Sequence, residues 1–453
     1  MGRFKYRGKD DRRVRQRIDD ENEEDGQEHS SGSVPMEELK KSEEYTRRIE
    51  YLGIPKKKYA VCFGYLGTNY QGLQMNPGAI TVESMLEKAF FLVGAIPESN
   101  YGTLSKLSWS RAARTDKGVH AVTQCVGIRM CIPKTDKVEF IQSLNSFLPP
   151  DIKVFDIIRT TKSFNSKVAV GKRRYQYIFP SYLLMDKDIH NELCSSITKV
   201  EVTSRDSLTS VYNELIKYRV TPDKLELLST AIKLYEGTRS FHNFTSGKTI
   251  NDAQSRRYII QCSHGAPFIS PINGGEWLCV SIYGQSFLLN QIRKMIGFAI
   301  EIVRRNNAGV DTNLLLRTFG PDRMEVSMAP GTGLYLDELE FDTYNIKLGH
   351  LEQQFSSTQS KQKGDDDEEE DGYVNEKLDW YSKPEILPQL NAYRTDVIWP
   401  HIQEIDQNSF SFLEYIVELR NNPHFYTAVE DTPGRKETQD VKDAKEVVAA
   451  GVI

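Results

Sequence analysis

No apolar run in this 453-residue sequence approaches the roughly 20 residues that a membrane-spanning helix needs, and the N-terminus lacks the apolar core of a secretory signal. A protein that neither spans a membrane nor carries such a leader is expected. Met1-Gly2 begins like an acylation site, but Tyr6 stands where a hydroxyl residue is wanted. The acidic stretch from Asp19 to Glu28 is wrong for a mitochondrial presequence. Cysteine is sparse: the six residues (Cys62, Cys125, Cys131, Cys194, Cys262, Cys279) form no Cys-x-x-Cys and no Cys/His group with zinc spacing. That pattern predicts reduced core residues and no metal site. The Gly67–Gly72 loop has neither the Walker Lys-Ser/Thr nor the dinucleotide spacing, which argues against a nucleotide cofactor.

What is present is a long, polar-ended chain with 39% hydrophobic residues, enough for one large core or two ordinary ones. The net charge of −5 hides an uneven spread. Residues 51–350 hold 36 Lys and Arg against 27 Asp and Glu, an excess of nine positive charges, whereas residues 1–50 and 351–453 are acidic. A basic middle is what a phosphate-tracking surface requires, although moderately basic domains occur without one.

Residues 1–50 carry too few apolar side chains to bury a core and are expected to be a disordered tail. The basic cluster Arg12–Arg17 within it reads as a nuclear localisation signal, an RNA-contacting arm or a solvated charge run. From Lys58 the pattern gives a strand, the glycine loop, a helix capped by Thr81, strand-like residues Leu107–Ser110, a strand resuming at Val119, a helix from Lys137 and a strand from Ile152. That order suggests a split βαβ unit, and residues 51–180 are taken as the N-terminal half of a catalytic domain. Residues 181–221 are polar and patternless, an insertion or linker. Residues 222–348 form the C-terminal half: a helix from Pro222, strands at 257–262 and 277–283, and a broad-faced helix that Ser286 can cap, with Leu288 and Leu289 opening its apolar face. An acidic linker is expected over 349–376, with seven consecutive acids from Asp365, followed by a partly helical extension over 377–426 and a tail over 427–453.

The stretch Ser108-Trp109-Ser110-Arg111-Ala112-Ala113-Arg114-Thr115-Asp116-Lys117-Gly118-Val119-His120-Ala121 places a carboxylate at a strand-to-strand corner. A lone Asp-x-Gly is usually only a turn whose side chain bonds nearby backbone N–H groups. Arg293 lies among apolar helix positions, where a guanidinium needs a partner; a structural ion pair is the plain reading from spacing. Tyr175, on a strand with Arg173 and Tyr177 on the same face, reads by itself as core.

Arg114-Thr115-Asp116-Lys117-Gly118-Val119 resembles the Arg-Thr-Asp-x-Gly-Val motif of the TruA family of tRNA pseudouridine synthases. Gly67–Gln74, Arg173–Tyr177, Gly237–Thr245, Gln285–Gly297 and Ala329–Leu334 are similar to further blocks of that family in the same order. The Phe-His-Asn-Phe-Thr and Gln-Ile-Arg-Lys-Met forms resemble the eukaryotic nuclear, multi-site branch. Asn290 departs from the histidine often found there.

The resemblance, which covers about residues 59–344, implies an α+β pseudouridine synthase fold: a mixed, mostly antiparallel sheet from two α/β halves with a central catalytic cleft. It implies an isomerase that turns selected uridines into pseudouridine without cofactor or metal. Asp116 would be the nucleophile, Tyr175 would stack on the base and serve as general base, and Arg293 would pair with Asp116. Arg114 and Thr115 would bind substrate. The implied partner is tRNA, with other structured RNA as an extension; the chain would be a monomer or homodimer in the nucleus, with the cytoplasm as the alternative. A non-catalytic RNA-binding protein on the same scaffold is the competing reading.

Overall fold

The computed structural model describes residues 32–51, 53–133, 137–200, 203–305, 312–359 and 375–421. It divides into two compact units, Met1–Gly171 with Glu338–Tyr393, and Lys172–Asp337 with Arg394–Ile453.

In the first unit, β1 (Lys57–Tyr65), β2 (Ser110–Arg111), β3 (His120–Met130) and β4 (Ile152–Arg159) lie in the order β4-β1-β3-β2. β1 is antiparallel to both neighbours, with Cys62 opposite Cys125 on β3 and Val61 opposite Ile157 on β4. Helix Val82–Leu92 connects β1 to β2 and helix Lys137–Asn145 connects β3 to β4, so the split βαβ order read from the sequence is the one formed. Every residue of β1 after Lys57 is buried, which explains its near-continuous apolar sequence. Thr81 caps the first helix as expected: its hydroxyl accepts from Ser84 N at 3.2 Å, and Ser84 Oγ accepts from Thr81 N at 3.1 Å.

The second unit contains β5 (Lys172–Pro180), β6 (Gly237–Ser240), β7 (Arg256–His264), β8 (Phe268–Ile269) and β9 (Glu276–Gly284). Its strands run in the order β5-β9-β7-β6, with β8 on β9, and these pairings are antiparallel. Helices Pro222–Lys233 and Gln291–Arg305 belong to the same unit. β10 (Leu334–Glu340) belongs to the second unit through Asp337 and to the first from Glu338. The class is therefore α+β with mostly antiparallel pairing, as expected.

Two local expectations are corrected. Leu104–Leu107 is a 3-10 turn, Ser108 takes a left-handed φ of 49°, and the strand is confined to Ser110–Arg111. The broad-faced helix starts at Gln291 and is not capped by Ser286, because Asn290 sits at φ 61°, a conformation asparagine tolerates better than most residues. Leu289 is consequently 57% exposed and contributes nothing to the apolar face.

Of the expected N-terminal tail, residues 1–31, including Arg12–Arg17, lie outside the described residues. Residues 32–50 carry short helices at Met36–Leu39 and Glu43–Thr46; Leu39 is buried and Ser33 Oγ donates to Glu87 at 2.6 Å. The 181–221 segment contains helices Lys187–Leu193 and Arg205–Leu215, the latter burying Leu208, Tyr212 and Leu215. Helix Asp342–Gln359 runs into the expected acidic linker, whose residues 360–374 lie outside the described residues, as does the tail over 427–453.

The C-terminal extension is built into both cores. In the first unit Lys383 Nζ meets Asp156 at 2.9 Å, and Trp380 packs edge-on against Phe341. In the second, helices Trp399–Ser409 and Ser411–Asn421 put Phe412 edge-on to Trp277 and Tyr177. Asp406, fully buried, accepts from Phe412 N at 3.0 Å and Tyr212 Oη at 3.1 Å; burial still lifts its pKa to about 6.

Candidate active site

The first unit builds the Asp116 corner from backbone close approach and one buried carboxylate. Asp116 precedes a turn in which Val119 N donates to its carbonyl at 3.2 Å and Gly118 takes φ 78°. The side chains of Asp116 and Arg114 are exposed, whereas Thr115 is buried. Thr115 and Tyr65 share a hydroxyl–hydroxyl hydrogen bond of 2.6 Å, and Thr115 O accepts from Leu73 N at 3.2 Å. Thr115 thus holds the corner to β1 and to the glycine loop.

That loop is a brace. A Cβ at Gly67 would lie 2.1 Å from Val119 O, and Gly72, at φ 104°, would put one 3.0 Å from Thr115 O. Only glycine allows the two backbones to approach this closely. Gly67 N also donates to the buried His120 Nδ1 at 3.0 Å.

Glu83, in the first turn of helix Val82–Leu92, fixes the near side. One of its oxygens accepts from Trp109 Nε1 at 2.7 Å and Arg111 Nε at 2.6 Å. The other accepts from an Arg111 Nη at 3.0 Å and from Met75 N at 3.0 Å. The two-pronged Arg111 contact is buried on both sides, so it fixes direction as well as distance. Gln124 Nε2 donates to Ala113 O at 3.1 Å and completes the support. The helical spacing of Glu83 beside a capping threonine was visible in the sequence, but an acid in a first turn usually only complements the helix dipole.

The second unit positions Tyr175 and Arg293. Tyr175, on β5 opposite Ile282, is 8% exposed, and its ring meets Phe287 edge-to-face at 5.3 Å. Arg293, half-buried on helix Gln291–Arg305, donates from Nε to Ala329 O at 2.7 Å, while Ala329 N donates to Arg293 O at 3.2 Å. Tyr177, the core member expected on the same strand, donates to Pro330 O at 2.8 Å. Burial pushes its phenol well above the usual range despite the opposing Arg293 charge. Gly333 must be glycine, since a Cβ there would stand 2.4 Å from Ile178 O. The Ala329–Leu334 block is therefore the strap that holds Arg293, a role its sequence did not disclose.

Thr115 is thus joined to the Asp116 corner within the first unit, while Tyr175 and Arg293 belong to the second. All six cysteines are free and all but Cys279 are buried. Among the described residues, no helix is long and apolar enough to cross a membrane, and no three His, Cys, Asp or Glu side chains are grouped to hold a metal ion.

Residues 231–342 match the family model described as tRNA pseudouridine synthase. The chain is 32% identical over 364 residues to tRNA pseudouridine synthase 1 of Kluyveromyces lactis, covering 68% of this chain and 65% of that one. It is 31% identical over 349 residues to the Saccharomyces cerevisiae protein of the same description, covering 65% of this chain and 63% of that one. The chain thus spans a little under two thirds of these yeast relatives. Coverage is greater against the mouse Pseudouridylate synthase 1 homolog: 30% identity over 369 residues, 81% of this chain and 74% of that one. With that extent of likeness added to the braced aspartate corner, the chain belongs to the tRNA pseudouridine synthase family.

Proposed function

We infer that this protein isomerises selected uridines of tRNA to pseudouridine, with Asp116 as nucleophile. The observation that carries this reading is the Asp116 corner itself: an exposed carboxylate on a backbone held by Thr115, two glycines and the Glu83–Arg111 pair, in a chain of this family.

The reaction breaks the bond between uracil N1 and the sugar carbon and makes one from that carbon to uracil C5. The proton lost from C5 is balanced by one gained at N1, so no redox equivalent or energy source is consumed. A carboxylate can attack the sugar carbon or stabilise charge developing there. Water must be kept from the detached-base stage, and because Asp116 is exposed, the RNA itself would supply that cover. Tyr175 would stack on the uracil and accept the C5 proton. Arg293 would pair with Asp116 and hold it ionised. Arg114, exposed beside the nucleophile, would hold the base out of the stack, which costs a few kcal/mol for a base in RNA. Thr115 acts by fixing the corner.

The likeness to yeast proteins described as tRNA pseudouridine synthase 1 supports tRNA as substrate; the basic middle segment supports an RNA partner generally, and the proposal extends to other structured RNAs. The Arg12–Arg17 cluster supports a nuclear site of action, with the cytoplasm as alternative, and a monomer or homodimer fits the scheme equally. Pseudouridine mapping of tRNA from cells with and without this protein tests the reading. Specific uridines should lose modification when the protein is removed and regain it on re-expression; an unchanged map refutes it.

A further inference from the structure

The Gly237–Thr245 stretch takes no part in the chemistry above, yet it sits in a concentration of cations within the second unit. β6 and β7 place Arg239 directly opposite Arg257, and Ser240 opposite Arg256. Like charges facing one another on an antiparallel pair destabilise it. Arg239 lies over the Phe319 ring, 5.1 Å from its centre, and that ring packs against Phe241 and Phe244. The buried Nε of Arg239 has no hydrogen-bond partner, and desolvation lowers the affinity of this guanidinium for its proton.

Other cations converge on the same loop. Arg323, exposed, donates to Lys248 O at 3.2 Å, which brings the Lys248 backbone alongside it. Lys294 reaches Asn243 O at 3.4 Å; burial and the Arg323 charge both lower its pKa. Three acids bear on this group: Asp322, 3.6 Å from Arg317; Glu325, which acts on Lys294; and Asp252, which accepts from Thr249 N at 2.9 Å beside Lys248. The positive charges therefore outnumber the acids around one aromatic-floored loop. Such an arrangement costs folding energy through mutual repulsion and desolvation, and a polyanion would offset both.

We propose that Arg239, Lys248, Lys294 and Arg323 form a binding face for RNA backbone phosphates. The ligand is the sugar–phosphate chain, because point charges and a stacked guanidinium neutralise phosphates without reading base edges. The inference deepens the tRNA reading and rests on it.

The test measures binding of two unmodified tRNA transcripts of different sequence across a salt series, using the full chain and the variants Lys248→Gln, Arg323→Gln and Arg239→Gln, singly and together. Lys248→Gln and Arg323→Gln alter residues that need little refolding, so they keep the test valid if Arg239→Gln misfolds. Affinity should fall severalfold for both transcripts alike, and the slope of log K against log salt should become shallower by about one for each residue removed. Unchanged affinity and slope in folded Lys248→Gln/Arg323→Gln protein, beside normal binding by the wild type, would overturn the phosphate face and leave the synthase reading standing. Loss confined to one transcript would overturn the backbone assignment. A wild-type chain with no salt-dependent tRNA binding would overturn the tRNA reading and this inference together.

Discussion

The two units prepare their side chains by opposite means. In the first, a short carboxylate is aimed by moving its backbone: two glycines let neighbouring chain segments touch, and a buried Glu83 collects four donors from Met75, Trp109 and Arg111. In the second, a long guanidinium and a phenol project from regular elements: the Ala329–Leu334 strap, itself tied to Tyr177, holds Arg293 by a neutral hydrogen bond, and Phe287 packs edge-to-face against the Tyr175 ring. An aspartate has one carbon between backbone and carboxyl, so errors in the main chain pass almost undiminished to its oxygens. Arginine and tyrosine reach farther, and packing along the side chain corrects them. The difference predicts that damage to the first unit's supports is electrostatic and large, and damage to the second unit's is small.

The largest effect is expected at Glu83. Glu83→Ala leaves the Arg111 guanidinium buried without its counter-charge, which typically costs about 3–5 kcal/mol. Denaturant unfolding of the variant should show that loss, and a change below 1 kcal/mol would remove the brace from the account.

A somewhat smaller effect should appear as a pH dependence. Glu87 is fully buried and receives Ser33 Oγ and Gly102 N; burial lifts its pKa from 4.5 to about 7. A carboxyl whose folded pKa lies above its unfolded value favours the folded state at low pH. That contribution is fully present below about pH 4.5 and is lost as pH rises through 7, with a magnitude on the order of 3 kcal/mol. Glu87→Gln should flatten stability across this window. An identical pH profile in wild type and variant would show that the buried Glu87 carboxyl does not carry this pH dependence.

The smallest effect belongs to the second unit. Tyr177→Phe removes one neutral hydrogen bond to Pro330 O and keeps the ring, so stability should fall by only about 1 kcal/mol. Turnover should fall more than tRNA affinity, because the strap also carries Ala329, the acceptor for Arg293. Equal losses in affinity and turnover would place Tyr177 in general packing.

Much of this was legible in the sequence because period and capping are local. The split βαβ order, the Thr81 cap and the strands at Lys172 and Trp277 follow from alternation and turn residues close in the chain. What escaped depended on distance. Glu83 and Arg111 are 28 residues apart, Gly67 and Val119 touch only after β1 and β3 pair, and the left-handed Asn290 delays a helix whose apolar stripe starts earlier. The apolar content of the extension beyond Trp380 points to a docked, partly helical segment, but only the fold reveals its partners, Phe341 for Trp380 and Trp277 for Phe412. Asp116, Tyr175 and Arg293 are proposed as site residues on family resemblance alone, since each has a common structural explanation at its own position.

The central claim is that the braced corner exists to present Asp116 as a nucleophile. It is tested most directly by single-turnover pseudouridine formation with Asp116→Asn on a tRNA transcript, with affinity and unfolding measured on the same preparation. The substitution is isosteric and lies at an exposed position, so folding should be unchanged and affinity should stay within a few fold because phosphate contacts dominate binding. Pseudouridine formation should be abolished. Measurable turnover by a verified Asp116→Asn protein would contradict the account.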